Sequence, residues 1–417
     1  MKIANRNIGP DYPPYVVAEL GSGHCGSVKT ACDMVLAAKE AGANAVKIQC
    51  YTADTLCARE VFLIEGGLWD GQDLYELYRK AETPPNMAKE IIQYAREHKI
   101  TCFSSVFDFE NLDFLVGLGV PAIKIASFEL VDTPLISKAA SYGLPMIISC
   151  GMGTHEEITH AVNAVKRGRE NRKLYDLALL HCISEYPAVP EDANLGILGP
   201  LSGIGGESHI VGFSDHTLGI GTACAAVAFG AAIIEKHFIL DRSLDAPDAA
   251  FSMEPAEFRL LTLACHDAWA AVNHQSQTDL RGQWQASSGN HLYRKSLYVV
   301  RSLSCGDPFS PSNVRILRPA NGLPPSLYGS FWRGWQRGTF QQERPFRARW
   351  FRLYLDIKLA AERADPLPES LKSYIAAFPC LKLADGRGIG PGQGRQLGLG
   401  HIGLLANPEP AQLVAQG

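Results

Sequence analysis

Polar and charged side chains stand at the ends of eight short runs rich in Val and Ile. Two of them are the histidines that end the last two runs, His216 and His237. Two imidazoles that reach one point suit a divalent metal with open positions for water and a substrate oxygen, so this pair predicts a metal site. Asp215 and Glu235 are close neighbours in sequence, and we expect these carboxylates to orient the imidazoles or to neutralise the charge of the metal.

A second group of strand-end residues offers cations and hydroxyl groups. Lysines embedded in Val and Ile runs need a partner or a ligand, because burying an unpaired ammonium is costly. Together with the backbone amides of the segment 151–153, the group suits a small phosphorylated anion. Either lysine could instead form a Schiff base, which defines a competing aldolase mechanism. The group comprises Lys47, Lys124, Ser127, Ser149 and Ser214, and the other polar strand-end residues are Glu19, Gln49, Ser104, Ser105 and His181.

The order of the eight runs predicts the fold that brings these ends together. The runs alternate with amphipathic stretches such as 30–41, which has an apolar stripe and stops at Gly42, a common helix end. Eight strands alternating with helices predict a (β/α)8 TIM barrel, with an open doubly wound sheet as the rival. In a barrel the carboxyl ends of all the strands meet on one face. The predicted strands are 16–20, 45–50, 100–105, 122–127, 146–151, 177–182, 210–215 and 232–238.

Changes in composition divide the chain into four parts. We predict a barrel domain over 1–272, a linker rich in Gln and Ser over 273–292, and a small mostly-β domain over 293–350. An atypical extension over 351–417 follows, which we interpret as poorly ordered, with a lineage-specific module as the alternative. Within the barrel domain, the long connection over 51–85 carries aromatic residues around Trp69 and Tyr75. Long loops of this kind usually cover the active face.

Composition also argues against several classes of protein. Lys plus Arg number 39 against 43 Asp plus Glu, and the resulting net charge of −4 does not suit nucleic-acid binding. No apolar run approaches the roughly 18 residues that cross a bilayer, and the first residues lack the apolar centre of a signal peptide. The 11 Cys include no Cys-x-x-Cys pair, so we interpret them as reduced thiols of a cytoplasmic protein.

At these residues the chain resembles the sialic acid synthase family, and in particular its pseudaminic acid synthase branch. The resemblance covers residues 8 to about 325. The loop 68–78 and the segment AAFSMEP at 249–255 are similar to the pseudaminic branch rather than to the N-acetylneuraminate branch. The other blocks that carry it are AELG at 18–21 with His24, AVKIQ at 45–49, IKIASFE at 123–129, ISCGM at 148–152, GFSDHTLG at 212–219 and IEKHF at 234–238.

The resemblance implies a metal-dependent condensation of phosphoenolpyruvate with an amino-sugar aldehyde. The expected sugar is a 2,4-diacetamido-2,4,6-trideoxyhexose of the L-altrose type, and the products are pseudaminic acid and phosphate. By resemblance His216 and His237 hold the metal, usually Mn²⁺ with Mg²⁺ or Co²⁺ as alternatives, and Glu19 is catalytic near a developing cation. The positions that match phosphoenolpyruvate contacts are Lys47, Ser105, Lys124, Ser127, Ser149 and Ser214, and those that match sugar-side or neighbouring positions are Gln49, Tyr186 and Asp248.

The second domain resembles the antifreeze-like (SAF) domain of the same family. In these relatives an arginine that matches Arg318 reaches the active site of the partner subunit, so the resemblance implies a domain-swapped homodimer. The chain departs from the family pattern at Gly23, Ser105-Val106 and Cys150, where Asn, Thr-Pro and Thr are usual. Three alternatives stay open: an N-acetylneuraminate or legionaminic acid synthase, a Schiff-base aldolase, and an impaired homologue that acts as a binding or assembly subunit.

Overall fold

The computed structural model describes residues 1–170, 176–206, 209–273, 293–301, 310–320 and 324–329. Contacts divide the chain into two units, Met1–Ser276 and Gln277–Gly417. The predicted extension over 351–417 and most of the predicted linker over 273–292 lie outside the described residues. No helix in these described ranges is long and apolar enough to cross a membrane.

The first unit contains a closed barrel of eight parallel strands, so the predicted (β/α)8 fold is confirmed and the open doubly wound sheet is wrong. Each strand pairs with the next one along the chain, and the eighth pairs with the first. The strands are β1 Tyr15–Glu19, β2 Ala45–Gln49, β3 Thr101–Ser105, β4 Ile123–Ile125, β5 Met146–Ser149, β6 Leu177–Cys182, β7 Ile210–Asp215 and β8 Ile233–His237.

The observed strands differ from the predicted runs mainly at their ends. β6 and β7 have the predicted bounds. The largest difference is in β4, predicted over 122–127, because the chain leaves the sheet after Ile125 and a 3-10 turn begins at Ser127. This turn brings the Ser127 hydroxyl within 3.3 Å of the Cys182 sulfur on β6.

Five of the described helices begin at a side chain that accepts a hydrogen bond from the backbone of the first turn. The capping residues are Ser27, Asp73, Asp108, Asp132 and Thr154. Because such a cap determines where the helix starts, it also shapes the strand-to-helix loop before it. The helices are α1 Val28–Glu40, α2 Ala53–Leu56, α3 Leu74–Ala81, α4 Pro85–Glu97, α5 Phe109–Gly117, α6 Thr133–Ser141, α7 His155–Gly168, α8 Leu198–Ser202, α9 Gly221–Ala228 and α10 Pro255–Asn273.

Two separate apolar clusters fill the inside and the outside of the barrel wall, because side chains alternate between the two faces along each strand. The inner cluster includes Tyr15, Val17, Phe103, Ile147, Leu180 and Ile233. A short hairpin of Lys2–Ile3 and Arg6–Asn7 places Ile3 in the same cluster. The outer cluster packs the strands against the helices. Since apolar residues occupy the amino-terminal part of the interior, the inward polar residues are left at the carboxyl ends.

In the second unit the described residues include one antiparallel pair, β9 Ser296–Val299 and β10 Val314–Leu317. The alternating sequence at 295–300 and 314–319 predicts both strands. The hydroxyls of Ser296 and Tyr298 both donate to the carbonyl of Pro319, each at 2.7 Å. Arg318 follows β10 directly, and its side chain is exposed.

Candidate active site

The inward polar side chains form a network of four buried charges at the carboxyl ends of the strands. Lys47 on β2 contacts Glu19 on β1 and lies 3.6 Å from Oε1 of Glu235 on β8. Nζ of Lys124 on β4 lies 3.9 Å from the same oxygen. All four residues are buried. The expectation that the buried lysines need partners is therefore confirmed, and the partners are carboxylates on other strands.

Each lysine also has a hydroxyl partner. Nζ of Lys47 donates to Ser105 Oγ at 3.0 Å, and Nζ of Lys124 donates to Ser149 Oγ at 2.6 Å. Ammonium and hydroxyl groups placed together in this way bind phosphate and carboxylate oxygens well, since the hydrogen bonds are charge-assisted. The two pairs on β2–β3 and β4–β5 therefore offer a binding surface for a small anion.

The two carboxylates are held by neutral donors as well. The side-chain amide of Gln49 donates to Glu19 Oε1 at 2.9 Å, and the backbone N–H of Gly21 donates to the same oxygen at 3.0 Å. The Ser214 hydroxyl donates to Glu235 Oε1 at 3.2 Å. These contacts fix the orientation of Glu19 and Glu235 before any ligand binds.

The environment treats the two lysines differently. Burial by itself lowers the pKa of Lys47, but the carboxylates of Glu19 and Glu235 outweigh burial and raise that pKa. Burial lowers the pKa of Lys124, and the attraction of Glu235 does not reverse the effect. Burial would raise the pKa of Glu235, but the nearby lysines bring it below its usual value. The pKa of Lys47 is thus raised and that of Lys124 lowered, so an anion bound beside Lys124 would favour its charged form.

His216 and His237 come together at the mouth of the barrel, where the carboxyl ends of the strands meet, and their ring centroids are 5.4 Å apart. Nδ1 of His216 donates to the carbonyl of Ile183 at 2.7 Å, so Nε2 is the nitrogen left for Cys182 or for a metal. Nδ1 of His237 is buried and lies 3.5 Å from Asp248 Oδ2, without a hydrogen bond to the described residues. Both imidazoles are buried rather than on an exposed rim.

These two rings fit the role of ligands to a divalent metal. A centroid separation of 5.4 Å would let both imidazoles bind one ion. A buried imidazole nitrogen without a hydrogen bond is a group that such an ion would satisfy. Across the described ranges, no cluster of three or more His, Cys, Asp or Glu side chains has the geometry of a metal site. Two imidazoles alone would leave positions open for water and a substrate oxygen.

The position of the Asp248 carboxylate next to Nδ1 of His237 depends on a glycine. The backbone N–H of Ser22 donates to Asp248 Oδ2 at 2.8 Å, and the N–H of Asp248 donates to Ser22 Oγ at 3.1 Å. Gly21 has a φ of +46°, and a Cβ at this position would collide with the Asp248 carboxylate and lie 3.1 Å from Nδ1 of His237. The glycine of the AELG block is therefore needed both for the backbone conformation and for this close approach.

Aromatic side chains form a wall beside the imidazoles. The ring of Tyr186 lies 4.3 Å from that of His216, and Phe251 lies 4.8 Å from His237. Trp69, from the long loop after β2, lies 5.6 Å from Tyr186, and its indole N–H donates to the carbonyl of Pro247 at 3.2 Å. The loop after β2 thus reaches the site, as expected. Tyr75 is not part of this wall, since its hydroxyl donates to Asp54.

Three polar strand-end residues lie on the opposite face from the others. The Asp215 carboxylate does not contact either imidazole, because it is paired with Lys236 on the outer face, so the expectation that it neutralises the charge of a metal is wrong. The Ser104 hydroxyl donates to the carbonyl of Ile48, and a ring nitrogen of His181 bonds to the carbonyl of Ala193 at 2.7 Å. Each of the three is the neighbour of an inward residue, and strand alternation turns it toward the helices.

Two residues of the site escaped sequence reasoning. Cys182 on β6 points inward, where Ser127 and His216 hydrogen-bond to it and lower its pKa despite burial. Glu129, on the turn after β4, is mostly buried, and one of its oxygens has no hydrogen-bond partner among the described residues. Burial raises the pKa of Glu129 to about 7 against the pull of Lys124. The segment IKIASFE contains Glu129, but its sequence does not show that the carboxyl is buried.

The departures from the family pattern lie mostly outside the mouth. A Cβ on Gly23 would press against Met34 of α1 and Ile239. This position therefore faces the helix side of the barrel and not the active site. Cys150 belongs to the outer apolar cluster. Ser105 keeps a hydroxyl against Lys47. Of these positions, only Ser105 contacts a residue of the charge network, whereas Gly23 and Cys150 face the helix side of the barrel.

Comparisons with known proteins agree with this architecture. The model of the NeuB family matches residues 34–277, more than half of the chain. The pseudaminic acid synthase of Helicobacter pylori is 39% identical over 319 residues, which make up 76% of this chain and 91% of that protein. The N,N'-diacetyllegionaminic acid synthase of Legionella pneumophila is 36% identical over 316 residues, or 75% of this chain and 87% of that protein.

A solved structure extends the agreement to the fold. The N-acetylneuraminic acid synthetase of Leptospira borgpetersenii, crystallised with citrate, superimposes with a TM-score of 0.59 at 31% identity. The match covers 66% of this chain and 91% of that one. The resemblance to sialic acid synthases and to their pseudaminic branch is therefore confirmed, and the chain belongs to the NeuB family.

Proposed function

We propose that this chain condenses phosphoenolpyruvate with a 2,4-diacetamido-2,4,6-trideoxyhexose of the L-altrose type and water, giving pseudaminic acid and phosphate. The observation that carries the proposal is the mouth of the barrel, where two buried lysines with hydroxyl partners flank Glu235 and the imidazoles of His216 and His237 lie close to the same carboxylate. The lysines suit the phosphate and carboxylate of phosphoenolpyruvate, and the imidazoles suit a divalent cation. The 39% identity to a curated pseudaminic acid synthase supports this choice of reaction.

The reaction joins C3 of phosphoenolpyruvate to the aldehyde carbon of the sugar, and water adds at C2. Phosphate leaves with its bridging oxygen, so the oxygen of water becomes the ketone at C2. Of the two protons of water, one ends on the former aldehyde oxygen and the other on phosphate. The protein has to bind the anionic phosphate and carboxylate groups, align C3 with the aldehyde and stabilise positive charge at C2.

The two lysines bind the anionic groups of phosphoenolpyruvate. The raised pKa of Lys47 favours its charged form, and an anion beside Lys124 would favour the charged form of that lysine as well. Four hydroxyl groups complete the cradle, those of Ser105, Ser127, Ser149 and Ser214. Glu19 faces the positive charge that develops at C2, and the donors Gln49 and Gly21 hold its carboxylate in place. A preorganised carboxylate stabilises such charge without reorganising during the reaction.

His216 and His237 would hold the divalent metal, for which we propose Mn²⁺, with Mg²⁺ and Co²⁺ as alternatives. When bound, the cation supplies Lewis-acid polarisation of the sugar aldehyde. The chain contributes the orientation of the two rings. The carbonyl of Ile183 fixes His216, and Tyr186 packs against it. Oδ2 of Asp248 lies 3.5 Å from Nδ1 of His237, which supports a role for this carboxylate beside the sugar.

The aromatic wall favours a sugar without a hydroxyl at C6. Trp69, Tyr186 and Phe251 present an apolar surface next to the imidazoles. A C6 methyl group gains from such a surface, whereas a C6 hydroxyl would lose its hydration there. We expect the trideoxyhexose to be turned over at least about 10-fold faster than N-acetylmannosamine, since one group in an apolar pocket changes specificity by about 10- to 200-fold.

The experiment that tests the reaction is the mass of the product after incubation with phosphoenolpyruvate and each candidate sugar. A nonulosonic acid formed from the L-altrose sugar, with matching phosphate release, supports the proposal. Equal or faster turnover of N-acetylmannosamine would show an N-acetylneuraminate synthase instead. Preferential turnover of a D-configured 2,4-diacetamido-2,4,6-trideoxyhexose would show a legionaminic acid synthase. Absence of any product with bound phosphoenolpyruvate would identify an impaired homologue.

A paired substitution tests the metal ligands. His237→Ala should abolish Mn²⁺-dependent phosphate release and Mn²⁺ binding, whereas His181→Asn should leave both within a few-fold. His181 is as buried as His237 but bonds to a carbonyl on the helix side, so it controls for the loss of a buried imidazole. Full activity of chelator-treated His237→Ala would contradict the metal role.

One observation keeps the Schiff-base aldolase as a second candidate. The pKa of the buried Lys124 is lowered, which is a property that imine-forming lysines need. Borohydride reduction in the presence of pyruvate separates the two mechanisms. A stable adduct on Lys124 would favour the aldolase, and the absence of an adduct in an active enzyme excludes it.

The assembly follows from the resemblance alone. We propose a cytoplasmic homodimer in which an antifreeze-like domain over 293–350 is swapped, so that Arg318 contributes to the partner's active site. The guanidinium would meet an acetamido group or an anion as a fixed fork of donors. We also propose the linker over 273–292 as the connection between the domains, and the extension over 351–417 as dispensable for catalysis.

A further inference from the structure

A buried lysine lies on the outer face of β8, between two residues of the site. Nζ of Lys236 lies 2.6 Å from Asp215 Oδ2 and donates to the carbonyl of Thr217 at 2.6 Å. The other oxygen of Asp215 accepts from the N–H of Thr217 at 2.9 Å and from its hydroxyl at 2.7 Å. His216 is the residue between Asp215 and Thr217, so both of its neighbours are fastened to Lys236.

Stability by itself is a weak reason for this arrangement. Lys236, Asp215 and Thr217 are each 1% exposed. A buried ion pair adds little net stability, because the removal of two charges from water offsets their attraction. Such a pair is more effective in selecting one geometry, since any displacement leaves a buried charge without its partner. The geometry that this pair selects is that of the turn around His216.

The alternation of side chains along β8 places Lys236 on the outer face of the barrel. Glu235 and His237 point into the barrel, so Lys236 points toward the helices. β7 and β8 are neighbours, and Lys236 pairs with Asp215 at the end of their ladder. His216 is therefore the first residue beyond the paired part of β7. Lys236 is joined covalently to His237 and by direct contacts to both residues that flank His216.

We propose that Lys236 is a positioning residue that sets the separation and orientation of the imidazoles of His216 and His237, and thereby the affinity of this pair for a divalent metal. The inference rests on the proposed metal-binding function. His216 also bonds from its Nδ1 to Ile183, from its carbonyl to the N–H of Ala188, and to the side chain of Cys182, and these contacts lead to β6 and the loop after it. The contacts of Lys236 instead connect the two neighbours of His216 to β8, the strand that carries the second imidazole.

The test is a titration of the chelator-treated full chain with Mn²⁺ alone, followed by calorimetry, with the Tm of the metal-free protein measured alongside. The variant Lys236→Met with Asp215→Asn removes both charges and keeps the side-chain volumes similar. We expect its Mn²⁺ affinity to fall about 10- to 100-fold, as for the loss of groups that orient metal ligands. Thr217→Val keeps the ion pair but removes one hydrogen bond to Asp215, and its affinity should fall less, in the same direction.

The matched control is Lys166→Met on α7. Lys166 also donates to a backbone carbonyl, that of Gly205 at 3.0 Å, but this carbonyl belongs to a segment that carries no site residue. The Mn²⁺ affinity of Lys166→Met should therefore equal that of the wild type. Wild-type affinity in a folded Lys236→Met/Asp215→Asn protein would overturn the inference. If neither this protein nor Thr217→Val folds, the contacts serve the barrel as a whole and the inference is likewise wrong.

A wild-type protein that binds no Mn²⁺ is a different result. It would overturn the proposed metal function itself, because the positioning of the imidazoles could then have no effect on affinity. The wild-type titration therefore separates a failure of the proposed function from a failure of the role of Lys236.

Discussion

Single atoms decide which charged groups meet at the mouth of the barrel. Gly21 lacks the Cβ that would separate Asp248 from the loop after β1, and so the carboxylate reaches Nδ1 of His237. Glu129 lies near Lys124 but is buried enough to have a pKa of about 7, whereas Glu235, with two lysines near it, has a lowered pKa. The same residue type thus has a raised pKa at one position and a lowered pKa at the other.

The close approach at Gly21 predicts the effect of adding a single methyl group. Gly21→Ala should lower activity by at least about 100-fold, because the new Cβ displaces Asp248 and with it His237. A positive φ also strains alanine by about 1 kcal/mol. Gly66→Ala is the matched control, since Gly66 has a φ of +76° but a Cβ at this position would meet only open space. Steady-state kinetics and Tm of both variants are the measurement. Equal losses of activity would show that backbone strain, not the collision, is responsible.

The raised pKa of Glu129 predicts how stability depends on pH. The carboxyl ionises at about 4.5 in the unfolded chain and at about 7 in the folded one. The folded state therefore loses stability relative to the unfolded state as the pH rises from about 4.5 to about 7. Glu129→Gln should remove this loss, so its Tm should gain a few degrees on the wild type across that interval, since about 1 kcal/mol shifts the Tm of such a domain by about 2–4 °C.

The control for Glu129 is a glutamate of opposite behaviour. Hydrogen bonds from Thr154 lower the pKa of Glu157, so its contribution to stability is present above pH 4.5 and lost as the pH falls. Glu157→Gln should therefore lose Tm relative to the wild type at neutral pH and approach it in acid. A difference between Glu129→Gln and the wild type that does not change with pH would contradict the buried state of this carboxyl.

At the scale of the element, each strand separates two functions by alternation. On β3, Ser105 faces Lys47 inside the barrel, whereas Ser104 bonds to the backbone of β2 and to Cys50 N at 3.0 Å. On β8, Glu235 and His237 face the site while Lys236 faces the helices. Adjacent residues of one strand therefore serve chemistry and architecture separately.

Two neighbouring serines test this separation. Ser105→Ala should raise KM for phosphoenolpyruvate about 10-fold with little change in Tm, because it removes one charge-assisted hydrogen-bond partner. Ser104→Ala should leave KM within about 2-fold and lower the free energy of unfolding by about 1–3 kcal/mol, because it leaves the Cys50 N–H without its buried acceptor. Initial rates and denaturant unfolding distinguish the two. A higher KM in Ser104→Ala would place its effect inside the barrel.

The two units of the chain have different roles in the proposed function. The barrel unit holds the charge network and the two imidazoles, and the proposed contribution of Arg318 comes from the other unit. The closed barrel connects the site residues to one another through strand pairing from β1 to β8. Activity should therefore depend on the second unit through what it adds to substrate positioning.

A pair of truncations tests this dependence. Removal of everything after Trp350 should leave steady-state kinetics within a few-fold, whereas removal from Lys295 onward, or Arg318→Ala, should lower activity by about 100-fold through lost positioning of substrate. Light scattering of the same proteins reports whether the dimer forms. Loss of activity or unfolding of the barrel in the shorter truncation would show that the extension has a structural function.

Local pattern was enough to determine the barrel, the pair of histidines and the buried lysines. Eight Val- and Ile-rich runs alternating with helical stretches have few other solutions, and the polar residues that end those runs must meet where parallel strands end. The motifs around Glu19, Lys124 and His216 also indicated the family. These inferences need only the spacing of residue types along the chain.

Tertiary structure alone decided which of these polar residues face one another. Strands of a parallel barrel are buried on both faces and read as continuous apolar runs, so Ser214 and Asp215 look equivalent in sequence although only Ser214 faces inward. The pairing of Lys47 with Glu19, the burial of Glu129 and the contacts of Lys236 with Asp215 join residues far apart in the chain. They depend on the closure and register of the barrel, which no local pattern contains.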